Sequence, residues 1–189
     1  MQLRTVISIA MALVALTCSS EQALAAGAAA SPTRSFSSEG VAFRYPKAWK
    51  PSPKAWLYAG SFFHLVTYLS TARLHNPCTM PSPNTQSCAP PLGVLPPGGI
   101  LVTWSRNGFP HWKLAAQPGT STRLAGHAAK LQIARPGACS YLGASETVTA
   151  LIASPVSGNW VQMQACLRGS NRIANKQKVL AMLATLRLR

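Results

Sequence analysis

Residues 160 to 187 read WVQMQACLRGSNRIANKQKVLAMLATLR, and within this stretch the apolar period changes from two to nearly four. Up to Leu167 the side chains alternate. Val161, Met163, Ala165 and Leu167 fall on one face and Gln162, Gln164 and Cys166 on the other, as a half-buried strand requires. From Asn171 onward Ile173, Val179, Leu180, Leu183 and Leu186 form one helical stripe, with Arg172, Lys176 and Lys178 outside it. Ser170 or Asn171 stands where a cap belongs. A basic amphipathic helix can lie on a membrane, but a terminal helix that buries its stripe against its own sheet is the simpler account. The expected class is therefore α+β: an antiparallel β-sheet with a C-terminal amphipathic helix packed on one face.

Working back from this stretch, Thr147 to Ala153 predicts a strand, separated from the last one by the turn formers Pro155, Ser157, Gly158 and Asn159. His127 to Ile133 alternates, which sends Ala129, Leu131 and Ile133 to the core and Lys130 and Gln132 to water. Ile100 to Trp104 follows a Pro-Pro-Gly-Gly turn, and Phe62 to Leu69 is β-rich without clean alternation, the pattern of a strand covered on both faces. Gly40 to Tyr45 makes a first strand that ends where Pro46 can no longer donate a ladder hydrogen bond.

Between two of these strands lies TARLHNPCTMPSPNTQSCAPPLGVLPPGG, residues 71 to 99, with seven prolines and no period. A loop of this length inside a domain is uncommon and is usually functional or disordered. It carries Cys78 and Cys88; Cys139 and Cys166 come later. Four cysteines allow three pairings, and proximity favours Cys78 with Cys88, leaving Cys139 for Cys166. The loop is then stapled by a disulfide, and the second bridge, on the glutamine face of its strand, is expected at a sheet edge or the surface.

An even cysteine count fits an exported chain, and the N-terminus agrees. Arg4 precedes the apolar run TVISIAMALVALT, and Ala23-Leu24-Ala25 offers a cleavage site, so residues 1–25 read as a signal peptide. The alternative, lipidation at Cys18, rests on the imperfect lipobox Ala15-Leu16-Thr17-Cys18. Residues 26–33 read as a flexible tether and 34–189 as a single α+β domain, secreted or associated with the cell envelope.

The charge is lopsided: 18 Lys plus Arg face 3 acidic residues, all Glu. Removing residues 1–25 takes away Arg4 and Glu21, so the remainder carries 17 minus 2, or +15. Such a field attracts polyanions, although the bases are scattered singly, as on a dispersed solvated surface. Around the first strand, Arg44, Lys47, Lys50 and Lys54 interleave with Trp49 and Trp56. These six are the candidate surface for an anionic envelope polymer or lipid head groups, with Arg187 and Arg189 expected to lie apart from it.

The pattern Gly40, Phe43, Tyr45, Pro46, Trp49 has the form Gly-x-x-Phe-x-Tyr-Pro-x-x-Trp and resembles the opening of the PsbP-like superfamily. LAGHAAKLQI at 124–133 and VLAMLATLR at 179–187 fall in a similar order. The resemblance implies an antiparallel sheet flanked by helices that serves as a binding or assembly module. The cysteine-and-proline loop departs from that pattern, and no helix is readable before Asn171. On the residues alone, Pro46 turns the chain so that Trp49 folds back as a lid over the core edge, the alternative to its place on the basic surface.

Catalytic chemistry has few groups to use. Beyond residue 25 only Glu39 and Glu146 remain as carboxylates, and there is neither a Gly-x-Ser-x-Gly elbow nor a phosphate loop. The alternative to a non-catalytic binding or scaffold domain is a secreted hydrolase using Glu146 with His127 or a neighbouring Ser. His64, His75, His111 and His127 share no ligand-like spacing, so neither metal nor cofactor is expected. Nucleic acid suits the charge but not an exported chain, and no recognition module is present.

Overall fold

The computed structural model describes residues 32–56, 62–82, 85–154 and 158–189. Residues 1–25, read above as a signal peptide, together with Cys18 and most of the expected tether, lie outside the described residues. In chain order the elements are β1 (Thr33–Ser38), β2 (Val41–Pro46), β3 (Lys50–Pro51), β4 (Phe63–Ser70), β5 (Cys78–Ser82), β6 (Thr85–Cys88), β7 (Ile100–Gly108), β8 (Thr120–Leu124), β9 (His127–Ala134), β10 (Glu146–Ala153), β11 (Asn159–Leu167), α1 (Arg172–Ala184) and β12 (Arg187–Leu188). Every strand pairing is antiparallel. The strands form a seven-stranded sheet, β3-β4-β7-β11-β10-β9-β8, a three-stranded sheet, β1-β2-β12, and the hairpin β5-β6. The protein is thus α+β, mostly antiparallel sheet with one C-terminal helix, and residues 31–189 cluster as one compact unit.

Alternation decides which side of the large sheet is dry. Ile100, Val102 and Trp104 of β7, Val161, Met163, Ala165 and Leu167 of β11, and Val148, Ala150 and Ile152 of β10 are buried in one cluster. Val41, Phe43 and Tyr45 of β2 belong to the same cluster, as do Val179, Met182 and Leu183 of α1. Trp49 is 1% exposed within it, brought back by the turn in which its N–H donates to the Pro46 carbonyl at 2.9 Å.

Several expectations need correction. Ile173 is 54% exposed and Met182 is buried, because the buried stripe of the helix runs through Asn175, Val179, Met182 and Leu183 and leaves Ile173 outside it; the Asn175 side-chain amide donates to the Gly98 carbonyl at 3.1 Å. Asn171 stands at the N-cap position without a side-chain capping bond. Ile133 is 46% exposed and Leu131 half-buried, since burial falls away from β7, β11 and β10 toward the exposed edge strand β8, which the sequence did not announce. The tether ends earlier than expected, because Thr33 already pairs with Pro46 in β1.

The proline-rich segment holds a hairpin. Cys78 and Cys88 are direct cross-strand partners, 4.1 Å apart at Cα, and are bonded to each other. Proline is confined to edge or irregular strand positions, which is why this segment shows no strand period. Cys139 and Cys166 form the second disulfide. It lies neither at an edge nor at the surface: β11 is the central strand, and Cys139 and Cys166 are buried with Leu95, Leu101, Leu142 and Ala144 in a second, smaller cluster. That cluster covers the cysteine end of the glutamine face.

Candidate anion-binding surface

The three-stranded sheet positions an arginine groove. On β2, Val41, Phe43 and Tyr45 point inward, so Ala42 and Arg44 point out. The Arg44 guanidinium donates from Nε and Nη2 to Thr33 Oγ1 at 3.1 and 2.8 Å, and its backbone N–H donates to Thr185 Oγ1 at 2.8 Å. On the other flank β12 sets Arg187 opposite Ala42, and the Arg189 N–H donates to the Gly40 carbonyl at 2.9 Å. Gly40 has φ +72°, and a Cβ there would sit 2.9 Å from the Arg189 carbonyl oxygen, so this approach requires glycine. Arg44, Arg187 and Arg189, with Ser35 and Ser37 of β1, line an open groove of about 650 Å³ that contains no carboxylate side chain.

Arginine presents a planar fork of donors that matches phosphate or carboxylate oxygens. Thr33 holds Arg44 in place through a neutral acceptor, so its charge is not cancelled. Arg187 and Arg189, expected to lie apart, are here because β12 closes against a strand some 145 residues earlier (187 − 42). The alternation Leu186-Arg187-Leu188-Arg189 was the available signal.

The other residues of the expected surface are dispersed. Lys47 is exposed just after β2, whereas Lys50 is on β3, paired with Ser70 at the edge of the large sheet. Lys54 is exposed in a short 3-10 turn, and Trp56 at its end is half-buried. Trp49, buried in the core, presents nothing to a ligand and leaves the set.

Glu146 occupies a different environment. Its carboxylate is fully buried, with Arg135 Nε donating to Oε2 at 2.6 Å and Lys176 Nζ forming an ion pair with Oε1 at 3.0 Å. Burial by itself raises this carboxyl, but the Arg135 hydrogen bond and the two positive charges outweigh it and hold the group below its ordinary range. His127 lies at the opposite end of the sheet, since β9 and β10 run antiparallel with Ala129 facing Ile152 and Ala134 facing Thr147. Seven residues of strand separate the two ends, roughly 20 Å. The Ser145 hydroxyl donates to the Leu167 carbonyl at 3.3 Å. Glu146 and His127 are therefore not within hydrogen-bond reach of each other.

On the glutamine face of the large sheet a second cavity, of about 310 Å³, is lined by Tyr68, Tyr141, Thr103, Ser105, Gln162 and Gln164, among others. Burial raises both tyrosine hydroxyls above their ordinary range, Tyr68 further through its proximity to Tyr141, so both are neutral donors.

No family model matches the chain, and no curated protein matches it. A crystal structure from Bacteroides thetaiotaomicron VPI-5482 is similar at 12% identity and a TM-score of 0.37, covering 82% of this chain. The chain spans about half of that protein, 48% of its length. Two disulfides are compatible with an extracellular location. No helix among the described residues is long and apolar enough to cross a membrane.

Proposed function

We propose that this protein is an exported, non-catalytic binding or scaffold domain of the cell envelope, built on a PsbP-like plan, that contacts an anionic polymer or lipid through its basic surface. In this reading α1 is an amphipathic cover for one face of the large sheet, and the cysteines staple a domain that works outside the reducing interior.

One observation carries the proposal. None of the 17 bases in residues 32–189 is buried, while one of the two glutamates, Glu146, is enclosed and already ion-paired. Glu39 is then the one side-chain carboxylate exposed among the described residues. An almost single-signed surface raises the local concentration of polyanions and speeds their association.

Co-sedimentation with vesicles and with soluble wall polymer of graded negative charge, at two salt concentrations, tests the reading. Binding is expected to rise with surface charge and to weaken steeply with salt, because exposed charges are screened beyond about 8 Å at physiological ionic strength. Neutralising Arg44, Arg187 and Arg189 together is expected to weaken it more than neutralising Lys47, Lys50 and Lys54. Equal binding to neutral and anionic surfaces would sink the proposal.

A further inference from the structure

At the end of the large sheet where β4 begins, β7 finishes and β11 begins, aromatic rings gather on the outside of the molecule. Phe62 and Phe109 are 56% and 57% exposed, and their ring centroids are 5.3 Å apart. Phe63, the next residue, is 38% exposed. Trp112 and Trp160, both half-buried, stack at 4.5 Å with planes 9° apart. Backbone bonds tie the group together: Gly108 N–H donates to the Phe62 carbonyl, Phe109 N–H to the Gly158 carbonyl and Trp112 N–H to the Phe109 carbonyl, at 3.0, 3.0 and 3.1 Å. This is a held arrangement of five rings and not scattered exposure of single apolar residues, which would need no explanation.

The charges around it are positive. Lys113 follows Trp112 and is exposed, and Arg106 lines the small open cavity at this corner together with Phe62. No carboxylate lines that cavity. Arg106 Nη1 donates to the Glu39 carbonyl at 3.1 Å, and the adjoining Gly40 receives the Arg189 N–H, so the arginine groove reaches the corner through one turn. Glu39 itself is the one negative side chain beside this junction.

We infer that this corner is a membrane-docking surface: Phe62, Phe63 and Phe109 enter the boundary between head groups and acyl chains of an anionic bilayer. Trp112 and Trp160 lie at head-group level, and Arg106, Lys113 and the arginine groove face the lipid phosphates. The inference rests on the proposed anionic partner and narrows it to lipid. A hydrated polymer offers no apolar phase for exposed phenylalanine, whereas a bilayer interface accepts aromatic rings and basic side chains side by side. The bases with no acid lining the corner select phosphatidylglycerol-type surfaces over zwitterionic ones.

The test uses the mature protein with phosphatidylcholine vesicles, with and without phosphatidylglycerol, and with soluble wall polymer. Wild-type protein is expected to bind the anionic vesicles, and brominated acyl chains are expected to quench its tryptophan fluorescence. The double variant Phe62→Ser/Phe109→Ser is expected to partition roughly tenfold more weakly or worse, since each exposed phenyl ring contributes apolar area to the bound state. Its melting transition and its binding to soluble polymer are expected to be unchanged, and Glu39→Gln is expected to strengthen vesicle binding. Quenching of the wild-type protein needs no mutation, so a misfolded variant would not spare the inference. Wild-type affinity in the double variant, or absence of quenching with vesicles bound, overturns the corner while leaving the basic-surface reading intact. Binding to polymer but not to vesicles does the same. No binding to any anionic surface overturns both.

Discussion

Two sets of paired aromatic rings differ in how far they meet water in this molecule. In the core Phe36 stacks on Phe43 at 5.0 Å and Phe43 on Trp104 at 4.9 Å, with Trp49 buried in the same cluster. At the corner Phe62 meets Phe109 and Trp112 stacks on Trp160 at comparable distances, in contact with water. The ring chemistry is the same; the difference is whether a second layer covers it. β2 and α1 contribute residues to the cluster on one side of the large sheet, and among the described residues no such cluster encloses its corner. Charge divides in the same way. Two cations surround a buried carboxylate at Glu146, while three arginines share a groove with no acid side chain.

The strongest way to break this contrast is to truncate one ring from each set. Trp49→Ala is expected to lower stability by about 3–5 kcal/mol, the usual cost of removing a large buried aromatic. Phe109→Ala is expected to change it by less than about 1 kcal/mol, as for exposed positions. Urea denaturation of both variants decides, and similar losses would mean that the corner is core after all.

The disulfides sharpen the contrast on the covalent side. Replacing Cys139 and Cys166 by Ala opens a span of 27 residues, and replacing Cys78 and Cys88 opens one of 10. Loop-closure entropy alone then assigns losses of about 3.5 and 2.7 kcal/mol. The buried bridge also leaves a gap in the second cluster, which widens the difference. Alkylation under denaturing, non-reducing conditions is expected to leave Cys78, Cys88, Cys139 and Cys166 of the oxidised protein unlabelled. A larger loss from the hairpin bridge would contradict the ranking.

Smaller still is the effect at Glu146, and it depends on pH. Its folded-state carboxyl lies below the unfolded value of about 4.3, so its contribution is fully present above that pH and is lost as pH falls through the folded pKa. Glu146→Gln is expected to cost about 2 kcal/mol at pH 7, less than the 3–5 of a fully buried pair, because Arg135 is 62% exposed and can return to water. As pH falls below about 4.3 the difference between the variant and the wild-type protein is expected to shrink, and it vanishes only once pH has passed below the lowered folded-state pKa. A constant difference from pH 7 down to pH 3 would remove the ion pairs as its cause. By contrast, neutralising the groove arginines is expected to move stability by less than about 0.5 kcal/mol at any pH, since no acid side chain lines the groove.

Local chemistry was legible wherever a residue's neighbours in sequence are also its neighbours in space. The strand alternation of residues 160–167, the change of period into the helix and the proximity of Cys78 to Cys88 each depend on side chains within about ten positions of one another. β2 and its Tyr-Pro turn were visible for the same reason, whereas β1 was not legible as a strand. The charge excess, a sum over the chain, needed no fold at all. What only the tertiary structure decided is where the second layer falls. β12 closing on β2 carried Arg187 and Arg189 to Arg44; Leu95, Leu142 and Ala144 folded over Cys166; and the ends of β4, β7 and β11 met to gather five aromatic rings. Alternation assigns a residue to one of two faces, but whether that face meets water depends on contacts across tens of residues, and such contacts leave no period in the chain.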